Sequence, residues 1–229
     1  MPVVDLAASS VRELNRALHQ LHAGTNETDW QILNPRGAHA IAAGLDAPVA
    51  VKIDGPVGYY CAGMNKLATV TIAGNAGVGV AENMMSGTVW VQGNASQSAG
   101  ATGRGGLLVV DGDASARCGI SMKGIDIVVK GSIGAMSAFM AQAGNLVVLG
   151  DAGEALGASI YEARLFVRGK VASLGADCVE KAMTAEERTL LEGILERAGL
   201  VGTVGAAEFR LYGSARQLYH FHPDHIDGY

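Results

Sequence analysis

Between residues 49 and 176 the apolar positions fall in short alternating runs, and each run ends on a glycine. These glycines are Gly55, Gly74, Gly93, Gly112, Gly131, Gly150 and Gly169, nineteen residues apart without a slip. Four positions before the glycine stand Val51, Val70, Val89, Leu108, Ile127, Leu146 and Leu165. Two before it stand Ile53, Ile72, Val91, Val110, Val129, Val148 and Val167. Two after it come Val57, Ala76, Ala95, Ala114, Ile133, Ala152 and Val171. Seven after it there is only Ala or Gly: Ala62, Ala81, Gly100, Gly119, Ala138, Gly157 and Ala176. A fixed period near twenty residues marks a solenoid whose repeats bury their faces against one another.

β-branched residues at spacing two, closed by glycine, describe a short strand that turns a corner. Nineteen residues leave no room for a strand plus a helix, and the Leu/Asn pattern of a leucine-rich repeat is missing. Hexapeptide and calcium-binding nonapeptide coils would both repeat at about eighteen. The sequence therefore predicts an all-β solenoid, a parallel β-helix of about seven 19-residue rungs. At ~4.8 Å per rung the rod is on the order of 30 Å long. Corner slots restricted to small residues are expected where backbones crowd or φ is positive.

Alternation points the slot three before the glycine outward. It reads Lys52, Thr71, Trp90, Val109, Val128, Val147 and Phe166, so one outer face begins polar and becomes an apolar ladder. The next outward slot, which includes Asp54, Gln92, Asp111, Lys130 and Arg168, is mostly polar.

Flanking segments complete a three-part organisation: an N-terminal cap over 1–48, the β-helix over 49–176, and a C-terminal helix and tail over 177–229. Ser10 with Glu13 forms a capping box ahead of Val11, Leu14, Ala17, Leu18 and Leu21 at helical spacing. An extended piece follows around Trp30–Leu33. Thr184 with Glu187 opens a second helix that Gly199 stops. Solenoid ends leave unpaired backbone groups, so both helices are expected to act as caps rather than as free recognition helices. The helix at 185–198 spans ~21 Å and the ladder from Trp90 to Phe166 ~19 Å. Leu190, Leu191, Ile194 and Leu195 can thus cover the ladder; the alternative cover is a partner subunit.

Composition narrows the chemistry. With 17 Lys and Arg against 22 Asp and Glu the net charge is −5, without a basic run, which argues against a nucleic-acid or anionic-membrane surface. The first residues do not read as a signal peptide, and the uncharged stretch 131–150 keeps the phase of the repeat. A cytoplasmic, soluble protein is expected. Cys61 and Cys118 share a slot three rungs apart, ~14 Å, beyond disulfide reach, and Cys178 lies elsewhere. Glycines around Gly77–Gly79 and Gly100–Gly106 lack a phosphate-loop lysine and read as corners. Asp54 and Asp111 share a slot three rungs apart, and Asp113 and Asp151 another two rungs apart. Neither arrangement makes a hydrolase groove. His220, His222 and His225 with Asp224 and Asp227 are read as surface or interface residues rather than metal ligands. No catalytic, cofactor-binding or metal residue is assigned.

The corners Gly74-Asn75-Ala76-Gly77 and Gly150-Asp151-Ala152-Gly153 resemble the GXGXG domain, the right-handed β-helix of the glutamate synthase large subunit. The stretches Gly150–Ser159 and Gly213–Phe221 are similar to a narrower family, the small subunit of N-methylglutamate synthase, or methylamine–glutamate N-methyltransferase. That resemblance covers nearly the whole chain. It implies a right-handed coil and a non-catalytic subunit of a three-part complex. The implied partners are a class II amidotransferase-like subunit and a glutamate-synthase-like subunit bearing FMN and an iron–sulfur cluster. The implied reaction converts methylamine and glutamate into N-methylglutamate and ammonia. An alternative of the same shape is the β-helical subunit of formylmethanofuran dehydrogenase or formyltransferase/hydrolase complexes. Its Met-Gly-Gly corner is approached only by Ser121–Gly124 and Met85–Gly87. A free-standing carbohydrate-active enzyme would need a secretion signal and a stacked acid groove.

Overall fold

The structure, a computed structural model, describes residues 1–216. Its elements in chain order are β1 (Val3–Asp5), α1 (Val11–Leu18), β2 (Asp29–Leu33), β3 (Ala50–Asp54), β4 (Thr69–Ile72), β5 (Thr88–Val91) and β6 (Leu107–Val110). They continue with β7 (Lys123–Val129), β8 (Ala143–Val148), β9 (Arg164–Val167), β10 (Cys178–Lys181), α2 (Ala185–Arg197) and β11 (Arg210–Ser214). One strand per turn stacks in parallel from β1 to β9, giving the expected right-handed parallel β-helix with small helical caps. From β3 to β9 the pairings are offset by nineteen residues, except that Lys123 at the start of β7 pairs with Ala143, twenty on, before a register shift; Val51, Val70, Val89, Leu108, Ile127, Leu146 and Leu165 thus lie in one register. A second ladder of single bridges links Val57, Ala76, Ala95, Ala114, Ile133, Ala152 and Val171.

The inward slots fill the axis. Val51, Ile53, Val70, Ile72, Val89, Val91 and their equivalents up to Leu165 and Val167 are almost fully buried in one aliphatic cluster. Small corners are required for two separate reasons. At the repeating glycine the constraint is space: a Cβ on Gly93 would stand 2.4 Å from Asn75 Oδ1, and one on Gly112 2.1 Å from Asn94 Oδ1. Further round each turn the constraint is burial: of three left-handed slots only the middle one, where Ala62, Ala81 and Ala138 are fully buried, is confined to small residues. Residues five, seven and nine after the glycine are left-handed, as in Tyr60, Ala62 and Met64 or Arg117, Gly119 and Ser121, with φ between 52° and 68° in these two turns. Such residues persist because both neighbouring turns hold them. Tyr60 and Met64 donate to Val78 O and Glu82 O of the next turn, and Ala62 to Ile41 O of the previous one, at 2.7–2.9 Å.

The last turn departs from the expected spacing. Leu156 bridges Leu174, eighteen residues on, and the left-handed Asp177, at φ 65°, likewise stands eighteen residues after the left-handed Ser159. With one residue fewer in this turn the small slot falls on Gly175 instead of Ala176, and Gly175 N donates to Leu156 O at 2.8 Å.

The stack also begins before residue 49. β2 pairs with β3 at an offset of twenty-one (Trp30 with Val51, Ile32 with Ile53), and β1 pairs with β2. Segment 1–48 thus carries two strands of the sheet as well as the capping helix. The Ser10–Glu13 capping box opens α1, whose Leu14 and Leu18 bury against the end of the axis beside Ile41 and Leu45. Asn15 serves the open turn beneath, donating to Ala40 O at 2.8 Å and accepting from Ala42 N at 3.0 Å. At the other end β11 enters antiparallel between β9 and β10. Tyr212 pairs with Leu165 and continues the inner slot, while Leu211 pairs with Phe166 and continues the outer one. Among the described residues no helix is long and apolar enough to cross a membrane.

Candidate interaction faces

Three outer surfaces follow from this coil: the strand face beneath α2, the polar corner, and the edge formed by the left-handed turns. On the first, the apolar ladder is covered by the chain's own helix. Val109, Val128, Val147 and Phe166 are fully buried in a second cluster with Leu191, Ile194, Leu195 and Ala198 of α2 and with Leu200, Ala206, Phe209 and Leu211. The Thr184–Glu187 capping box starts α2, and Gly199, at φ 72°, ends it. Arg197 near its C-terminus pairs with Asp126. Asp126 also accepts from Asn145 Nδ2 at 2.7 Å, and Asn145 Oδ1 accepts from Arg164 Nε at 3.1 Å.

The polar start of that face is closed by a three-rung cluster. Asp111 accepts from Trp90 Nε1 at 3.0 Å through Oδ2 and pairs with Lys130 Nζ at 2.7 Å through Oδ1. The Lys130 ammonium lies 4.8 Å from the Trp90 ring centre. Asp54, in the slot of Asp111, is bound by Gln31 and by Lys52 at 3.1 Å, and the Gln31 amide before the Lys52 charge holds its carboxyl below the usual range. The two carboxylates are thus engaged by separate neighbours three rungs apart.

The corner slot explains Asp113 and Asp151. From Asn75 to Asp151, the residue just after the repeating glycine accepts the N–H of its equivalent one rung on: Asn75 from Asn94, Asn94 from Asp113, Asp113 from Ser132, Ser132 from Asp151, and Asp151 from Lys170, at 2.7–3.0 Å. This ladder was overlooked in the sequence, although short side-chain acceptors at a spacing of nineteen are its signal. The same oxygens occupy the space a Cβ on the glycine would need, so glycine and acceptor form one device.

All three cysteines are buried and free. Burial pushes the Cys61 and Cys118 thiols up to about 12 and Cys178 to about 11, away from thiolate chemistry. The glycines at 77, 79, 100, 103, 105 and 106 sit at turns against neighbouring rungs. His220, His222, His225, Asp224 and Asp227 lie outside the described residues.

The turn edge of the β3 rung differs from the other two surfaces. Tyr59 and Tyr60 are each 49% exposed and Met64 56%. His39 stacks on Tyr59 with ring centres 4.6 Å apart, and Tyr59 meets Tyr60 edge to face at 6.4 Å. Nothing in the repeat pattern points to the two tyrosines, because their slots hold other residue types in later rungs, whereas the slot of Met64 holds an exposed methionine again at Met140.

No family model matches the chain. Protein GlxC of Rhizobium meliloti (strain 1021) is 62% identical over 229 residues, a span that is 100% of each chain, and the protein belongs to the GlxC family.

Proposed function

We propose that this chain is a non-catalytic assembly subunit of a glutamate-synthase-type complex, specifically one that makes N-methylglutamate and ammonia from methylamine and glutamate. One observation carries the reading: the side chains that could perform chemistry on the rod are engaged in holding it together. Asp113 and Asp151 receive backbone N–H groups, Asp54 and Asp111 are bound by neighbouring side chains, and the thiols are buried. The repeating Gly-x-Ala-Gly corners, which resemble the glutamate synthase β-helix, supply the link to that class of complex. In this reading flavin and iron–sulfur chemistry belong to a synthase-like partner, and amide chemistry to an amidotransferase-like partner. The rod gives both a rigid surface.

The test is purification of the tagged chain from its native source, followed by identification of bound subunits and assay of N-methylglutamate formation. Expected are two partners in fixed ratio, activity in the complex, and no flavin absorbance in the isolated chain. Turnover or stoichiometric flavin in the isolated chain would defeat the proposal, as would recovery of the chain alone.

A further inference from the structure

The turn edge around Tyr60 carries side chains that the coil does not need. Tyr60 and Met64 are exposed yet left-handed, at φ 59° and 57°, a conformation in which a bulky residue is an outlier. Equivalent slots elsewhere hold Ser98 and Ser121 as well as Arg117, Met136 and Met140, so the fold accepts a small polar residue at either place and no other rung sets an aromatic ring there. The aromatic side chains are nonetheless seated. His39 Nδ1 accepts the Tyr59 N–H at 2.8 Å while its ring stacks on Tyr59. Tyr60 lies against Gly79: a Cβ there would meet Tyr60 Cδ1 at 2.7 Å and Glu82 Oε2 at 2.8 Å. A carboxylate therefore lies near the ring, and among the described residues Glu82 enters no ion pair.

We infer that Tyr59, Tyr60, Met64 and Glu82 form the docking site for a partner-protein segment that presents an arginine. A guanidinium stacks on aromatic faces and pairs with a carboxylate, and this edge offers both side by side. Exposed tyrosines with a thioether supply the apolar contact typical of interface anchors. A second copy of the chain fits less well, because a two-fold contact through this patch would set Glu82 against Glu82. The inference rests on the complex proposed above and names the surface through which it assembles.

The experiment expresses the full chain with the amidotransferase-like and synthase-like subunits and measures affinity for each purified subunit across a salt series. One variant combines Tyr59→Gln, Tyr60→Ser and Met64→Ser, residue types that Gln97, Ser98 and Ser121 already place in the same slots. The other is Glu82→Gln. Binding to one subunit should weaken by about tenfold or more in the triple variant. Glu82→Gln should weaken binding and flatten its salt dependence, with melting temperatures unchanged. Should the triple variant misfold, Glu82→Gln alone decides by its salt dependence. Wild-type affinity and salt dependence in the folded variants would overturn the inference, as would a wild-type homodimer that the triple variant abolishes. If the wild-type chain binds neither subunit, the complex itself is refuted and the inference falls with it.

Discussion

Inner and outer slots of the same strands follow different rules. Inside, Val51 through Leu165 and Ile53 through Val167 stay aliphatic in every rung, because each side chain packs on its equivalents above and below. Outside, the slot runs from Lys52 and Thr71 to Val109, Val128, Val147 and Phe166, and its character changes where α2 lies down. The repeat dictates the interior; whatever docks on the rod dictates the exterior. Conservation of residue type along a slot therefore reports stacking, and a change along it reports a neighbour.

The largest effect that would break this contrast is at Val148, which is fully buried on the axis. Val148→Asp leaves a carboxylate sealed between rungs and should cost about 4 kcal/mol or more, so the rod fails to fold. A native-like circular dichroism spectrum and melting temperature would refute the inward register. Phe166→Glu comes next. Loss of its packing is worth about 3–5 kcal/mol, but here the rod should survive while α2 detaches. The readout is limited proteolysis, with cleavage near 185–205 and a protected core over 50–167. Uniform digestion would show that the helix and rod form a single unit. Leu149→Asp, at a half-buried outer position, should cost about 1 kcal/mol; destabilisation equal to that of Val148→Asp would erase the distinction between the faces. The smallest change is expected at the uncovered start of the face. Lys52→Val loses only an exposed pair with Asp54 and should shift stability by less than about 1 kcal/mol. Clear stabilisation would mean that the outer slot prefers apolar residues even without a cover.

Much of the fold was legible in the residues. Period two within a strand and period nineteen between strands are correlations that stacking imposes on the chain itself, so the seven glycine-marked rungs, their inner slots and both capping boxes could be read directly. The first rung was harder, because its offset to β3 is twenty-one and Trp30–Leu33 does not keep the phase of the glycines. The polar corner ladder was visible as Asn75, Asn94, Asp113, Ser132 and Asp151, yet its meaning depends on which N–H each oxygen meets. The Tyr59–Tyr60 edge gave no periodic signal at all, since a surface made for one contact need not repeat.

The sequence by itself determined the coil, because every rung is specified locally and repeats its demands seven times. The ladder's length and the helix's apolar face made α2 a fitting cover, but only the tertiary structure decided that it lies there. It alone placed β11 antiparallel between β9 and β10, turned Leu211 outward and Tyr212 inward, and shortened the last turn so that the left-handed Asp177 follows Ser159 by eighteen residues. The physical reason is range. A strand's inner face is fixed by nearest neighbours of the same repeat. The closing of the rod's end pairs residues some forty-five positions apart, as Leu211 with Phe166, through contacts made once and written in no period.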